Sequence, residues 1–126
     1  MKIKSVSGIV CYVKDLNKTA KFYENLGFVV KKREQNHLIV YSNWFWIDFL
    51  SIDKEDKPEF RKEANHSDKG AGLFIYLSVE DVDDFYKDLL LKGLTPSSKP
   101  RDFPWGNREF VIRDPDGYKL VIFKRK

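Results

Sequence analysis

The sequence is short of several residue types, and each shortage excludes something. It has a single cysteine, Cys11, so no internal disulfide can form. Cys11 stands in the apolar run "SGIVCYV", which reads as a buried, inert thiol rather than a nucleophile. Histidine occurs only at His37 and His66. Neither belongs to a His-x-x-x-His or Cys-x-x-Cys spacing, so both read as surface or structural residues. No nucleophile-elbow motif is present. No stretch approaches the roughly 18 consecutive apolar residues of a membrane span. The opening "MKIKSVSGIV" lacks the apolar core of about 7–15 residues that a secretory signal carries. With the lone cysteine, this leads us to expect a reducing, cytoplasmic location and no membrane partner.

What is present is ordinary except for its rings. A length of 126 residues predicts one domain able to bury a real core. Hydrophobic residues at 42% and charged residues at 33% fit a soluble globular chain. The net charge is +4, yet the basic residues are scattered through "KDLNKTAK", "KKRE", "FRKEAN" and "FKRK", mostly beside acids. They read as a solvated surface, not a nucleic-acid footprint. Aromatic residues reach 15%, with three Trp, six Tyr and ten Phe. That exceeds what a small core needs and leaves π surface to line a pocket.

Hydrophobic spacing organises the chain twice over. Residues 6–13 predict a buried, β-branched strand. Asp15 follows as an N-cap, then Leu16, Ala20 and Tyr23 at helical spacing, widened by Phe22 and Leu26, with Gly27 as the terminating residue. Strands are predicted at about 28–34, 37–42 and 44–52, the latter two joined by a turn at Ser42–Asn43. The polar stretch 53–71 predicts a linker or exposed excursion with a short helix at Glu59–Ala64. A strand at about 73–79 restarts the pattern. Asp81 caps a helix that presents Val82, Phe85, Tyr86, Leu89 and Leu90, and Gly93 ends it. Strands follow at about 94–99, 107–113 and 118–124, the last two joined by "DPDG", which suits a type I turn. Asp81 and Gly93 follow Asp15 and Gly27 at one common offset. This predicts an internal duplication of a βαβββ unit, about 5–52 and about 72–126. The fold class is therefore α+β, with mostly antiparallel sheet and helices on its outer side. Each unit has an uncovered face, which pairing of units would cover.

The paired βαβββ units, "DLNKTAKFYENLGF" and "DPDG" resemble the vicinal oxygen chelate superfamily of glyoxalases, bleomycin-resistance proteins and dioxygenases. The resemblance covers nearly the whole chain as one domain and implies a cup-shaped sheet. "PWGNREFVIRDPDGYKL" most resembles the bleomycin-resistance branch. In metal-dependent members, ligands stand on the opening strand of each unit and on its last strand. The corresponding positions here are Gly8, Phe74, Val121 and Asp48. Only Asp48 can ligate, and one carboxylate does not hold a catalytic metal against water. The expectation is no metal site, no cofactor and no catalytic residue.

Strand alternation then sorts the side chains. If Val121 faces the concavity, so does Phe123. On the other strands the same face carries Gly8, Val10 and Tyr12; Trp46, Asp48 and Leu50; Phe74, Tyr76 and Ser78; and Glu109 and Val111. The expected ligand-binding set is Tyr12, Trp46, Asp48, Phe74, Tyr76, Trp105, Glu109 and Phe123. Aromatic walls with few polar groups suit a small planar molecule. The same rings would also serve as filler between two sheets, and both readings stand. Trp105, in "FPWGN", either caps the pocket or packs back on the sheet. The resemblance implies a symmetric homodimer that binds or sequesters an aromatic ligand. Its rival is a glyoxalase- or dioxygenase-type enzyme with a non-standard metal site built on Asp48, Glu109 and a histidine from elsewhere.

Overall fold

The computed structural model describes residues 1–126. The first helix forms where a cap and an apolar stripe coincide. Asp15 is extended, and its carboxylate accepts from Asn17 N at 2.9 Å and Lys18 N at 3.1 Å. These bonds satisfy amides that have no partner inside a helix. Helix α1 (Leu16–Leu26) buries Thr19, Ala20, Phe22, Tyr23 and Leu26. It stops at Gly27, whose φ of 103° only glycine adopts freely. Phe28 N then closes on Tyr23 O at 3.0 Å. Tyr23 is fully buried, 4.5 Å from the Phe49 ring and 5.5 Å from Phe28 between centroids.

Around this helix lies a four-stranded sheet of β1 (Gly8–Val13), β2 (Val29–Arg33), β3 (His37–Ser42) and β4 (Phe45–Ser51). The spatial order is β1-β4-β3-β2. β1 runs parallel to β4, and the other two pairings are antiparallel. The helix side of the sheet holds Cys11, Val13, Leu38, Val40, Ile47 and Phe49, all buried. The β3–β4 turn falls on Asn43–Trp44, one residue later than expected. Ser42 pairs with Phe45, and Asn43 takes the left-handed conformation at φ 56°, which asparagine tolerates better than most residues.

The second unit repeats this plan. Asp81 caps α3 (Val82–Leu91) by accepting from Asp84 N at 3.0 Å, and Gly93 (φ 81°) follows its end. Strands β5 (Phe74–Ser78), β6 (Arg101–Asp102), β7 (Asn107–Arg113) and β8 (Lys119–Arg125) form a sheet of order β5-β8-β7-β6. β5 is parallel to β8, as β1 is to β4. The "DPDG" turn closes with Gly117 N on Asp114 O at 3.0 Å. The α3 face is sealed by Leu89, Phe110, Ile112, Leu120 and Ile122.

One expectation fails in this architecture. The strand expected at about 94–99 is absent, and only Arg101–Asp102 pair with β7. Pro96 and Pro100 remove two amides from that stretch. Ser97 N still reaches Val111 O at 2.8 Å, but the return bond comes from Val111 N to the Ser98 hydroxyl at 2.9 Å, a side chain standing in for a carbonyl. The polar stretch 53–71 is largely exposed, and the short helix expected at Glu59–Ala64 forms within it. It holds a 3-10 turn (Ile52–Lys54) and α2 (Pro58–Ala64), whose Ala64 is fully buried and which contacts β1. Pro58 opens that helix, where a missing N–H costs nothing. By compactness the chain divides into Met1–Ser67 and Asp68–Lys126.

Candidate functional site

Each sheet has a second face, away from its helix, and the two faces are built differently. On the first sheet, Gly8 pairs with Trp46, Val10 with Asp48, and Tyr12 with Leu50. A Cβ on Gly8 would lie 2.2 Å from Trp46 Cδ2 and 2.4 Å from Trp46 O. The indole therefore lies across the glycine, and any side chain at residue 8 would displace it. Asp48 Oδ1 sits 3.1 Å from His37 Nδ1, and His37 Nε2 sits 3.3 Å from Glu34 Oε1. His37 reaches Asp48 diagonally, because β3 pairs His37 with Leu50 and Ile39 with Asp48. The Glu34 carboxyl is held below its ordinary range, first by a hydrogen bond from Lys32 and then by one from His37. Tyr12 is buried and donates to Glu55 Oε1 at 2.5 Å. Burial pushes its hydroxyl up to about 12, and the neighbouring Glu55 carboxylate adds to the rise. The polar groups of this face are paired with one another.

The second sheet keeps its rings outward. Phe74 and Tyr76 on β5 are about half exposed, while Val121 beside Tyr76 is buried. The Tyr76 and Phe123 rings meet edge to face at 5.3 Å, and Lys119 Nζ lies 5.1 Å from the Phe74 centroid. Trp105 is 58% exposed. Its indole stacks on Phe103 at 4.7 Å and 22°, and the Arg101 guanidinium lies 4.1 Å from the Phe103 centroid. Guanidinium, phenyl and indole thus form a continuous stack whose last member is half in solvent. The loop holding it is tight. Gly106 N reaches Phe103 O at 3.1 Å, Phe103 N reaches Asn107 O at 2.8 Å, and Gly106 has φ 96°.

Beneath these rings sits Glu109, only 4% exposed. Its carboxylate accepts from Trp105 Nε1 at 3.3 Å, Asn107 Nδ2 at 3.2 Å and Tyr76 Oη at 3.4 Å. Tyr76 in turn has its hydroxyl pKa raised, by desolvation first and by Glu109 next. Arg108, one residue before Glu109 and so on the opposite face, is committed elsewhere. It clamps Asp83 through two bonds of 2.9 Å and also reaches Asp102 at 3.1 Å.

The second unit therefore gathers Tyr76, Trp105, Glu109 and Phe123 around one carboxylate, with Phe74 next along β5. In the first unit, Trp46 covers Gly8, Asp48 is tied to His37, and Tyr12 is tied to Glu55. Sequence reasoning missed Phe103, Arg101 and Asn107. The signal for Asn107 was available, since it precedes Glu109 by two on β7 and so shares its face. The His37–Asp48 pair depends on the β3–β4 register, which periodicity does not supply. The donors do not fit a divalent cation. No three His, Cys, Asp or Glu side chains converge. Gly8 is covered by an indole, and Phe74 and Val121 offer carbon.

A fold of two βαβββ units with a mixed sheet in each, and an aromatic face on the second, defines the class. The chain belongs to the Glyoxalase/Bleomycin resistance protein/Dioxygenase superfamily, whose family model matches residues 5–122 and so spans both units. It is 31% identical to the uncharacterized protein YraH of Bacillus subtilis, over 89% of this chain and 91% of that protein. It is 28% identical to the bleomycin resistance protein of Geobacillus stearothermophilus, over 90% and 91%. Such relatives put it with the bleomycin-resistance-like branch. A virulence protein from Salmonella typhimurium shares the fold at a TM-score of 0.78 and 24% identity, each chain covered in full. No helix is long and apolar enough to cross a membrane.

Proposed function

We propose that the protein binds and sequesters a planar aromatic small molecule without transforming it and without a metal ion. The observation that carries this reading is the Arg101–Phe103–Trp105 stack, which presents an exposed indole face beside Tyr76 and Phe123. A ring in a pre-formed stack loses little freedom when a ligand adds to it. Phe74, Tyr76, Trp105, Glu109 and Phe123 form the principal ligand surface. Tyr12, Trp46 and Asp48 form a second, more self-satisfied surface on the first sheet. Relatives named as bleomycin resistance proteins support a binding role. The protein acts as a homodimer in the cytoplasm, where the buried Cys11 stays reduced.

The test uses 2-naphthamide, a neutral planar probe, in isothermal titration calorimetry. Saturable binding that is unaffected by excess chelator, with the probe recovered at unchanged mass, is the expected result. Absence of heat, or a probe altered in mass, contradicts the reading. The enzyme reading has one observation in its favour, the His37–Asp48 pair, which could hold a proton-transferring imidazole in one orientation. It predicts a modified probe and a loss of that modification in Asp48→Asn.

A further inference from the structure

The second sheet contains a buried carboxylate with no cation. Glu109 is nine-tenths buried, and a buried charge is ordinarily paired. Its three donors are an indole, an amide and a phenol, all neutral. Their distances of 3.2–3.4 Å exceed the roughly 2.7–2.9 Å of a charge-assisted N–H···O bond. The cation placed to serve it does not. Arg101 is the direct cross-strand partner of Glu109, yet its guanidinium lies on the Phe103 ring. Lys126 and Arg108 are bonded to Asp102.

A second acceptor lies beside it. Asn107 is itself 92% buried, being 8% exposed, and its Nδ2 is spent on Glu109 Oε2. That bond fixes the amide orientation, because the reverse would set two oxygens against each other. It leaves Asn107 Oδ1 as a buried oxygen with no hydrogen-bond partner. A native protein rarely keeps such a group unless something else satisfies it.

Resting on the reading of this face as an aromatic-binding surface, we infer that its ligands are planar aromatic cations of the amidinium or protonated amino-heterocycle class. The ring extends the Phe103–Trp105 stack, and the cationic N–H groups bond Glu109 and Asn107 Oδ1. Glu109 is reached by exchange. Tyr76 is half exposed and holds Oε1 at 3.4 Å, so a ligand N–H takes over that oxygen as the phenol swings outward. Two N–H groups on one planar carbon match two acceptors on one strand face, as a point-charge ammonium does not. Selection is by contact, since the chain's net charge of +4 does not steer a cation toward it.

The test compares 2-naphthamidine with 2-naphthamide, which share ring and shape and differ in charge. Wild-type protein should bind the amidine at least about tenfold tighter, or ~1.4 kcal/mol. Within the Glu109→Gln variant the amidine-to-amide affinity ratio should fall to about one. A wild-type ratio below tenfold overturns the cation assignment even if both probes bind, and then the aromatic-binding reading survives alone. If neither probe binds, both readings fall. Should Glu109→Gln not fold, location is read in wild-type protein from the Trp105 indole N–H resonance. It must shift on saturation with the amidine, and an unmoved resonance overturns the inference.

Discussion

The two sheets share a topology but treat their open faces in opposite ways. On the first, charged and polar groups find partners within the unit: His37 with Asp48 and Glu34, Tyr12 with Glu55. The glycine at the start of β1 is roofed by Trp46. On the second, the matching position is Phe74, half in solvent, and the acid beneath the rings has only neutral donors. Duplication supplies two equal frames, and side chains decide which frame is closed on itself and which keeps its rings in solvent. The difference is one of satisfaction rather than of backbone.

The sharpest way to break this comparison is to place the same residue at the start of β1 and of β5. Gly8→His should destabilise the protein by about 1–3 kcal/mol or more, because the new Cβ meets both an indole and a backbone oxygen that cannot swing away. Phe74→His, at a 52% exposed position, should stay near the ±0.5 kcal/mol typical of surface changes. Urea denaturation of the two variants reads the asymmetry directly. Equal losses would mean that the faces are not packed differently.

Trp105→Ala is next in size. It should weaken 2-naphthamide binding by on the order of 1–3 kcal/mol, the cost of losing an aromatic anchor. Folding stability should fall far less than the roughly 3–5 kcal/mol of a core tryptophan, since this indole is 58% exposed. One titration and one denaturation curve separate the outcomes. A stability collapse with unchanged affinity would make Trp105 a packing residue.

High pH probes the first face. The Tyr12 hydroxyl is raised to about 12 from an ordinary value near 10. A raised acid keeps its proton longer in the folded state, so its stabilising effect is whole below about pH 10. It should be lost as pH climbs through about 12. Glu55→Gln removes the hydrogen-bonding charge and should move the Tyr12 titration down, as followed by tyrosinate absorbance. An unchanged titration would mean that Glu55 plays no part, leaving burial and the Glu63 charge as the causes. A small effect is expected of Asp48→Asn, about 0.2–1 kcal/mol in the same urea denaturation, because the His37 pair is partly solvated and screened.

Local chemistry made much of the fold legible. Caps act within a few residues, so Asp15, Gly27, Asp81 and Gly93 announced both helices and with them the repeat. Strand β7 was legible because its Phe110, Val111 and Ile112 run is aromatic and β-branched and ends at the "DPDG" turn. The stretch before β6 was not, because its serines imitate strand pairing through a hydroxyl while its prolines forbid the regular ladder. The site was half legible. Alternation placed Glu109 and Phe123 on one face, but which ring covers which acid depends on register and rotamer. Trp46 over Gly8 is such a case, since the glycine reads as an absent ligand until the indole above it is seen.

The central claim is that the Trp105 face receives a planar aromatic molecule, and the indole N–H resonances of tryptophan-labelled protein test it most directly. Trp44, 71% exposed on the β3–β4 turn, serves as an internal control for non-specific stacking. On titration with 2-naphthamide, the Trp105 resonance should shift and saturate while that of Trp44 stays in place. Equal shifts at both indoles, or movement at Trp44 alone, would contradict the claim.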